Sequence, residues 1–376
     1  KDYLASAERT NQAGELPDPQ FAFGYFISPV ETRVGPQQAK LSLTQKFPWF
    51  GELKAEKDFT AQRAKVVYSE FEKMKYDLYF KVRKTWYQLY VIRQKQDFLS
   101  EQAKFYSTFE NLALIRFESG EGGMSEILSI RDRIDEVEKE EDDLRRNFES
   151  LASRFMKLTG VDTLQIRFPD SLETPLLEED YKAYLERALV SNSELQRLNQ
   201  MQLAELENLR IAEAKGMPDF AVGLDYVFTG EREGQDLPDN GKDVFMPMLS
   251  FSIPFNRGKY NSMEKESGLR LEAVQQRIED EKNNIEEELI TALNNYRIAQ
   301  SSIELYEKLL RNSQTSLDIL LDEYGGDYRS FNLVLQTRER YLNYEFLYES
   351  SKAEMSISAS RIRQILSDEK FENEDE

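Results

Sequence analysis

The chain has 376 residues, 40% of them hydrophobic and 12% aromatic, which is enough for two ordinary domains with buried cores. Its 49 basic and 69 acidic residues give a net charge of −20, which argues against binding to nucleic acid or anionic lipid. The chain has no cysteine and no histidine, so disulfide frameworks and zinc–thiolate sites are excluded and the commonest general base is missing. We therefore predict no enzyme activity, no cofactor and no metal site.

A helical pattern over residues 1–15 opens the chain, and two segments with period-two alternation follow at about 20–30 and 37–47. In the first of these segments, bulky residues such as Phe21 and Phe23 alternate with small ones. Each segment has roughly 10–11 residues, the length of a tilted strand that crosses an outer membrane. The two segments predict a hairpin with one aromatic face and one small or polar face.

Two long helical patterns, at about 52–117 and 124–159, follow this hairpin. Their apolar residues recur at intervals of three and four between charged flanks, which predicts coiled-coil packing. The turn between them carries the glycines of "FESGEGGMS", and an irregular linker, 160–175, comes after the second. For the longer helix we predict a core stripe made of Ala64, Val67, Phe71, Met74, Leu78, Val82, Leu89 and Ile92.

The second half of the chain repeats this order of elements. A helix is predicted at about 178–215, strands at about 218–229 and 243–254, and helices at about 259–323 and 329–367. The last two helices meet at the glycines of "DEYGGDYRS", and an acidic tail, "DEKFENEDE", ends the chain. The apolar heptads are most regular in the first of these two helices, with a predicted core stripe of Leu271, Val274, Ile278, Ile285, Leu289, Ala292, Tyr296, Ala299, Ile303, Tyr306, Leu310 and Leu317.

Sequence matches between the halves indicate an internal duplication. The segment "PDPQFAFGY" corresponds to "PDFAVGLDY", and Pro48 in "QKFPWFG" corresponds to Pro254 in "SIPFNRG". We predict two structural repeats, 1–175 and 176–376, that interleave in one subunit. Because the helix at 178–215 is much longer than its counterpart at the start of the chain, we expect ~20–25 further helical residues upstream of Lys1.

The aromatic faces of the four predicted strands need a covering surface. One interpretation is a sheet of a water-soluble protein packed on the helices, but helices of ~100 Å, at ~1.5 Å per residue, offer little surface at their ends. A lipid bilayer removes this difficulty. Four strands cannot close a barrel in lipid, so we predict that three copies form a twelve-stranded barrel. The predicted lipid-facing residues are Phe21, Phe23, Tyr25, Phe220, Leu224, Tyr226, Phe228, Leu249 and Phe251.

This order of elements resembles the outer-membrane efflux protein family, the TolC-like channel-tunnels. The resemblance covers nearly the whole chain and includes the proline-flanked strands and the glycine-bearing turns before "SEILSIRDR" and "FNLVLQTRER". It implies a mixed α and β membrane protein: a homotrimer with a β-barrel in the outer membrane and an α-helical coiled-coil barrel in the periplasm. It also implies a periplasmic adaptor and an inner-membrane pump as partners. The form "FPWFG" is similar to the branch that serves heavy-metal and related pumps.

The resemblance also implies roles for the two helix turns. Acidic residues one and two turns after the second turn ring the closed pore in this family, and counting from Gly326 gives Asn332 and Gln336 here. We therefore expect a constriction that is polar more than acidic. The predicted acidic mouth of the pore consists of Asp322, Glu323 and Asp327. The candidates for contact with the adaptor are Gly120, Gly122, Ser125, Leu128, Gly325, Gly326, Phe331 and Leu333.

The resulting hypothesis is a passive conduit that exports small molecules or metal ions, with energy and most substrate choice left to the pump. Two alternatives remain open from the sequence. One keeps the fold but exports proteins by type I secretion. The other, from a different class, is an extended coiled-coil surface scaffold or adhesin whose β segments bind a partner sheet.

Overall fold

The computed structural model describes residues 1–162, 166–177, 180–234, 238–322 and 328–368, and of residues 328–332 it describes only the backbone. The described elements in chain order are α1 (Asp2–Gln12), β1 (Gln20–Thr32), β2 (Gly35–Phe47), α2 (Glu52–Glu118), α3 (Met124–Thr159), α4 (Tyr181–Ser191), α5 (Ser193–Lys215), β3 (Asp219–Thr229), β4 (Val244–Ser252), α6 (Arg257–Asp322) and α7 (Tyr328–Leu366). The predicted combination of long helices with four strands is confirmed.

The prediction of one continuous helix over 178–215 is wrong. The helix is interrupted at Asn192, which separates α4 from α5. Asn192 leaves the helical conformation, with φ −56° and ψ 124°. Its side-chain amide donates a hydrogen bond of 2.9 Å to the carbonyl of Ile365, and the hydroxyl of Ser191 donates one of 2.6 Å to the carbonyl of Leu366. The end of α7 therefore holds the break in place, a tertiary contact that helical periodicity does not reveal.

The four strands form one antiparallel sheet in the order β1-β2-β3-β4. β1 and β2 each have 13 residues, longer than predicted, and Arg33 and Val34 form the turn between them. Contacts with the β3–β4 connection support this longer hairpin, since the backbone amide of Gly230 bonds to the carbonyl of Pro36 at 2.8 Å. The residues between the two predicted strands, 31–36, are thus largely strand. The register shifts between Tyr25 and Val30, where β1 bulges.

The chain divides into two compact units, each of which combines parts of both sequence halves. The first unit consists of Lys1–Phe71 and Glu194–Glu281 and holds the sheet. The second consists of Glu72–Ser193 and the chain from Lys282 onward. It contains a core cluster around Leu99, Tyr106, Ala113, Ile127, Ile130 and Val137.

Heptad spacing places the core correctly on α6, where most of the predicted stripe is buried, for example Ile285 and Leu289. On α2 the prediction is wrong for Phe71, Met74 and Leu78, which are 55%, 61% and 41% exposed. Periodicity identifies an apolar face, but it does not show whether the same chain covers that face. Among the described helices, none is both long enough and apolar enough to cross a bilayer.

Candidate functional site: the sheet faces and the helix ends

One face of the sheet is aromatic and aliphatic, and we call it the outer face. Direct cross-strand partners share a face, and one such row runs from Phe21 through Leu43 and Leu224 to Pro247. All nine residues predicted to face lipid lie on this outer face, and most are exposed, with Phe21 at 68%. Phe220 and Leu224 are half-buried, and the remaining members are Phe23, Tyr25, Tyr226, Phe228, Leu249 and Phe251. The alternation along each strand predicts which residues share a face, and the register of the four strands places these residues on one face of the sheet.

Aromatic rings continue the outer face to the start of α2. Phe47 stacks on Phe220 with ring centroids 5.3 Å apart, and Phe50 lies 5.9 Å from Phe220. Trp49 in turn contacts Phe50 at 5.7 Å. The "FPWFG" segment therefore marks the boundary at which the apolar face ends and the helices begin.

The opposite, inner face carries small and charged residues and, on β3 and β4, the apolar residues Val227, Val244, Met246 and Met248. Lys40 forms an ion pair with Asp225, whose side chain is fully buried in the chain. Lys46 forms a second ion pair with Asp219, with a distance of 2.7 Å between nitrogen and oxygen. Each lysine on this face is therefore matched by a carboxylate, so the two pairs add no net charge to it.

The two edges of the sheet remain open. Among the described residues, β1 pairs only with β2 and β4 pairs only with β3. Because all three pairings are antiparallel, β1 and β4 run in opposite directions. A β4 edge can therefore continue onto the β1 edge of another copy with the same antiparallel alternation.

The loop between β3 and β4 is tied to the sheet by side-chain contacts. The carboxylate of Asp243 accepts a hydrogen bond of 2.6 Å from the hydroxyl of Tyr226 and one of 2.8 Å from the amide of Thr229. Arg232 pairs with Glu31 on β1 at 3.0 Å. These contacts fix the loop across the end of the β1–β2 hairpin.

The turn between α2 and α3 contains Gly120, which adopts a left-handed conformation with φ 79°. Gly122 donates its amide to the carbonyl of Arg116 at 3.1 Å, which closes the turn. At the start of α3, Ser125 and Leu128 are exposed, whereas Ile127 is buried. Two of the predicted adaptor-contact residues thus form an accessible surface beside this turn.

The turn between α6 and α7 is described only in part. Asp322 is exposed at the end of α6, and Glu323, Gly325, Gly326 and Asp327 lie outside the described residues. The side chains of Phe331 and Asn332 also lie outside the described part, although both residues belong to α7. Leu333 and Gln336 are exposed, whereas the residues that follow them, Val334 and Thr337, are buried.

Polar contacts that sequence reasoning missed connect α7 to other elements of the second unit. The hydroxyl of Tyr106 donates a hydrogen bond of 2.6 Å to Glu339, and Leu335 packs on the same core cluster. Burial, followed by the bond to Glu339, raises the pKa of Tyr106. A second network joins Tyr90 and Glu349 with the linker before α4. Nothing in the local sequence marks these partners, because each tyrosine is separated from its glutamate by more than two hundred residues.

A second apolar stripe lies on α6 outside the buried one. Ile290, Ile298, Leu305 and Ile319 are each about half exposed, and their spacing is close to seven residues or a multiple of it. The spacing of these residues can be read from the sequence, but the buried stripe on the same helix has the more regular apolar heptads and dominates the pattern. An unpaired apolar stripe with heptad spacing is typical of a helix that packs on a neighbouring helix.

The comparisons with known proteins concern the fold. No family model matches the sequence, and neither does any curated protein. The chain is similar to the Vibrio cholerae outer-membrane protein VceC, with a TM-score of 0.75 and 16% identity over 97% of this chain and 91% of that one. It is similar to a Pseudomonas aeruginosa membrane protein, with a TM-score of 0.79 and 13% identity over 97% and 85%.

A further similarity is to the open state of the Neisseria gonorrhoeae outer-membrane channel MtrE, with a TM-score of 0.75 and 12% identity over 98% of this chain and 84% of that one. At these identities the likeness is one of fold. The chain has the fold of the TolC-like channel-tunnels, and the resemblance drawn from the sequence is confirmed at that level.

Proposed function

We propose that this chain is one subunit of a homotrimeric outer-membrane channel that passively exports small molecules or metal ions in a tripartite efflux system. The observation that carries the proposal is the sheet, with its exposed aromatic outer face, its charge-matched inner face and two unpaired edges. In hydrocarbon, open strand edges leave backbone groups unpaired, so the sheet requires closure by further copies. Three copies give twelve strands with an unbroken antiparallel alternation.

The same arrangement gives each face of the sheet a role. The outer face, with Phe23 and Leu249 among its most exposed members, contacts the acyl chains. The inner face, with its Lys40–Asp225 and Lys46–Asp219 pairs, lines a water-filled lumen. Paired charges keep the lumen wet while adding little net charge, which suits a conduit that does not select strongly.

The exposed apolar stripe of α6 supports contacts between copies along the helices. Burial of an apolar side chain from water stabilises by roughly 1.5–3 kcal/mol, so Ile290, Ile298 and Leu305 favour association. Burial of the exposed side chains of Phe71, Met74 and Leu78 on α2 would favour association in the same way. In the proposed trimer, neighbouring subunits cover these residues.

The helix turns take the roles of gate and docking surface in this proposal. Gln336 and Asn332 form polar rings at the constriction, with Asp322, Glu323 and Asp327 at its mouth. A periplasmic adaptor contacts the two helix turns through Leu128 and Leu333. The exposed apolar side chains of these two residues support this role. The adaptor connects the channel to an inner-membrane pump, which supplies energy and selects the cargo.

Two measurements test the proposal. Purified protein reconstituted into planar bilayers is expected to give discrete ion-conducting steps. Affinity purification of the native protein from its own cells, followed by mass spectrometry, is expected to recover an adaptor and a pump that together define the cargo. Protein that inserts into bilayers without conducting ions would contradict the channel. Recovery of a protein-secretion ATPase in place of an efflux pump would contradict the proposed cargo class.

A further inference from the structure

A pocket of about 330 Å³ lies where the outer face of the sheet meets the helices. Trp49 and Phe50, which follow β2, form one side of it, and the first turns of α2 and the end of α5 form the rest. Phe50 contacts Phe220 of the outer face, so the apolar surface is continuous from the sheet to the pocket. Its volume lies within the ~300–1,000 Å³ range of small-molecule sites.

Both signs of charge line this pocket. Lys54 and Asp58 lie one turn apart on α2, and Glu207 and Arg210 lie on α5. Arg210 donates a hydrogen bond of 2.7 Å to one carboxylate oxygen of Glu207. The other carboxylate oxygen of Glu207 is buried and, within the described part of the chain, has no hydrogen-bond partner. A buried carboxylate oxygen without a donor is costly, so a group that donates a hydrogen bond to Glu207 stabilises this site.

The side chains from α2 are also available to a ligand. Among the described residues, neither Lys54 nor Asp58 takes part in an ion pair. The pocket therefore offers the ammonium of Lys54, the carboxylate of Asp58 and the Arg210–Glu207 pair beside an aromatic surface. Aromatic residues such as Trp49 concentrate at the boundary between hydrocarbon and head groups.

We propose that this pocket binds the head group of a phospholipid that carries a primary ammonium. The phosphate binds Lys54 and Arg210, the ammonium donates hydrogen bonds to Glu207 and Asp58, and the acyl chains lie against the outer face beside Phe50. A trimethylammonium head group has no N–H to donate, and an anionic head group brings no ammonium to the carboxylates of Glu207 and Asp58. The net charge of −20 also disfavours an anionic lipid. The inference rests on the proposed outer-membrane location.

Native mass spectrometry of delipidated protein in detergent tests this inference. The probes are phosphatidylethanolamine, phosphatidylcholine and phosphatidylglycerol with identical acyl chains. We expect one phosphatidylethanolamine per chain and at least about tenfold weaker retention of the other two, the effect of losing one charge-assisted hydrogen bond. Equal retention of all three lipids would overturn the proposal. Equally tight binding of free phosphorylethanolamine would overturn the lipid as the source of the head group.

Variants locate the site. Glu207→Gln and Lys54→Gln are each expected to lower phosphatidylethanolamine retention about tenfold. The matched control Lys65→Gln, which changes an exposed lysine further along α2, is expected to leave it unchanged. Retention that survives Glu207→Gln and Lys54→Gln together would contradict the assignment. Conductance of the same sample separates the two proposals, since a conducting channel without lipid preference contradicts only this one.

Discussion

The hydroxyl of Tyr90 donates a hydrogen bond of 2.7 Å to a carboxylate oxygen of Glu349, which lies 259 residues later in the chain. The other oxygen of Glu349 accepts bonds from Ser171 at 2.9 Å and from Lys352 at 3.0 Å. Lys352 also donates to the hydroxyl of Ser171. This buried network connects α2, α7 and the linker before α4, and it leaves each charged member with a partner.

Loss of the Tyr90 hydroxyl is expected to destabilise the protein. A hydrogen bond to a charged group contributes about 1.5–3 kcal/mol, so Tyr90→Phe lowers the free energy of unfolding by that order. Glu349→Ala costs more, about 3–5 kcal/mol, because it leaves Lys352 buried without its carboxylate. Denaturant unfolding measures both variants. Tyr306→Phe, at a half-buried tyrosine on α6, is the control, and an equal effect of the two Tyr→Phe changes would contradict the role of the network.

Gly35 at the start of β2 is expected to tolerate no side chain. Its φ is 127°, and a Cβ atom there would lie 1.8 Å from the carbonyl oxygen of Gly230. Gly35→Ala therefore forces the β1–β2 hairpin away from the β3–β4 loop. Gly24→Ala is the matched control, because a Cβ atom at Gly24 meets nothing within 4 Å. The fraction of protein that folds into detergent-stable oligomers should fall for Gly35→Ala and remain unchanged for Gly24→Ala.

The Lys40–Asp225 pair is expected to set the charge of the barrel lumen. Lys40→Gln leaves Asp225 unbalanced and adds one negative charge per chain, so the channel should become more selective for cations. Asp225→Asn should shift selectivity towards anions. Reversal potentials in a salt gradient measure both effects. The double variant restores the charge balance and serves as the control; if it differs from the unchanged protein as much as the single variants do, the lumen assignment is wrong.

Aspartate at the proposed gate is expected to increase block by divalent cations. Carboxylates crowded in a ring of three attract divalent cations, whereas the amides of Gln336 and Asn332 carry no charge. Single-channel current of the variant with both residues changed to aspartate should therefore fall at lower divalent-cation concentrations. Gln300→Asp, on an exposed position of α6, is the control. If divalent cations block the double variant no more strongly than the unchanged protein, the assignment of Gln336 and Asn332 to the pore is wrong.

Periodicity was sufficient for the elements that depend on local packing. The heptads of α6 marked Ile285 and Leu289 as core because each buried residue lies on one face of a single helix. The alternation along β1 and β3 placed Phe21 and Tyr226 on one face, and the sheet register agrees. In both cases the face on which a residue lies follows from the regular geometry of its own helix or strand.

Features that depend on distant contacts were not predictable. The break at Asn192 depends on the carbonyl of Ile365, and the longer hairpin depends on Gly230, neither of which is near in sequence. Phe71 is apolar and fits the heptad spacing of α2, which predicts a core position, yet its own chain leaves it exposed. The sequence pattern of one chain shows that an apolar residue lies on a face that packs against something. It does not show whether the same chain, another copy or lipid packs there.

The number of chains per particle tests the central claim most directly. The exposed stripe at Ile298 and the open edges of β1 and β4 both require neighbouring copies. Native mass spectrometry of detergent-purified protein, with electron microscopy of the same sample, is expected to show a mass of three chains and a threefold axis through a twelve-stranded barrel. A stable monomer, or a particle whose strands close without a second copy, would contradict the account.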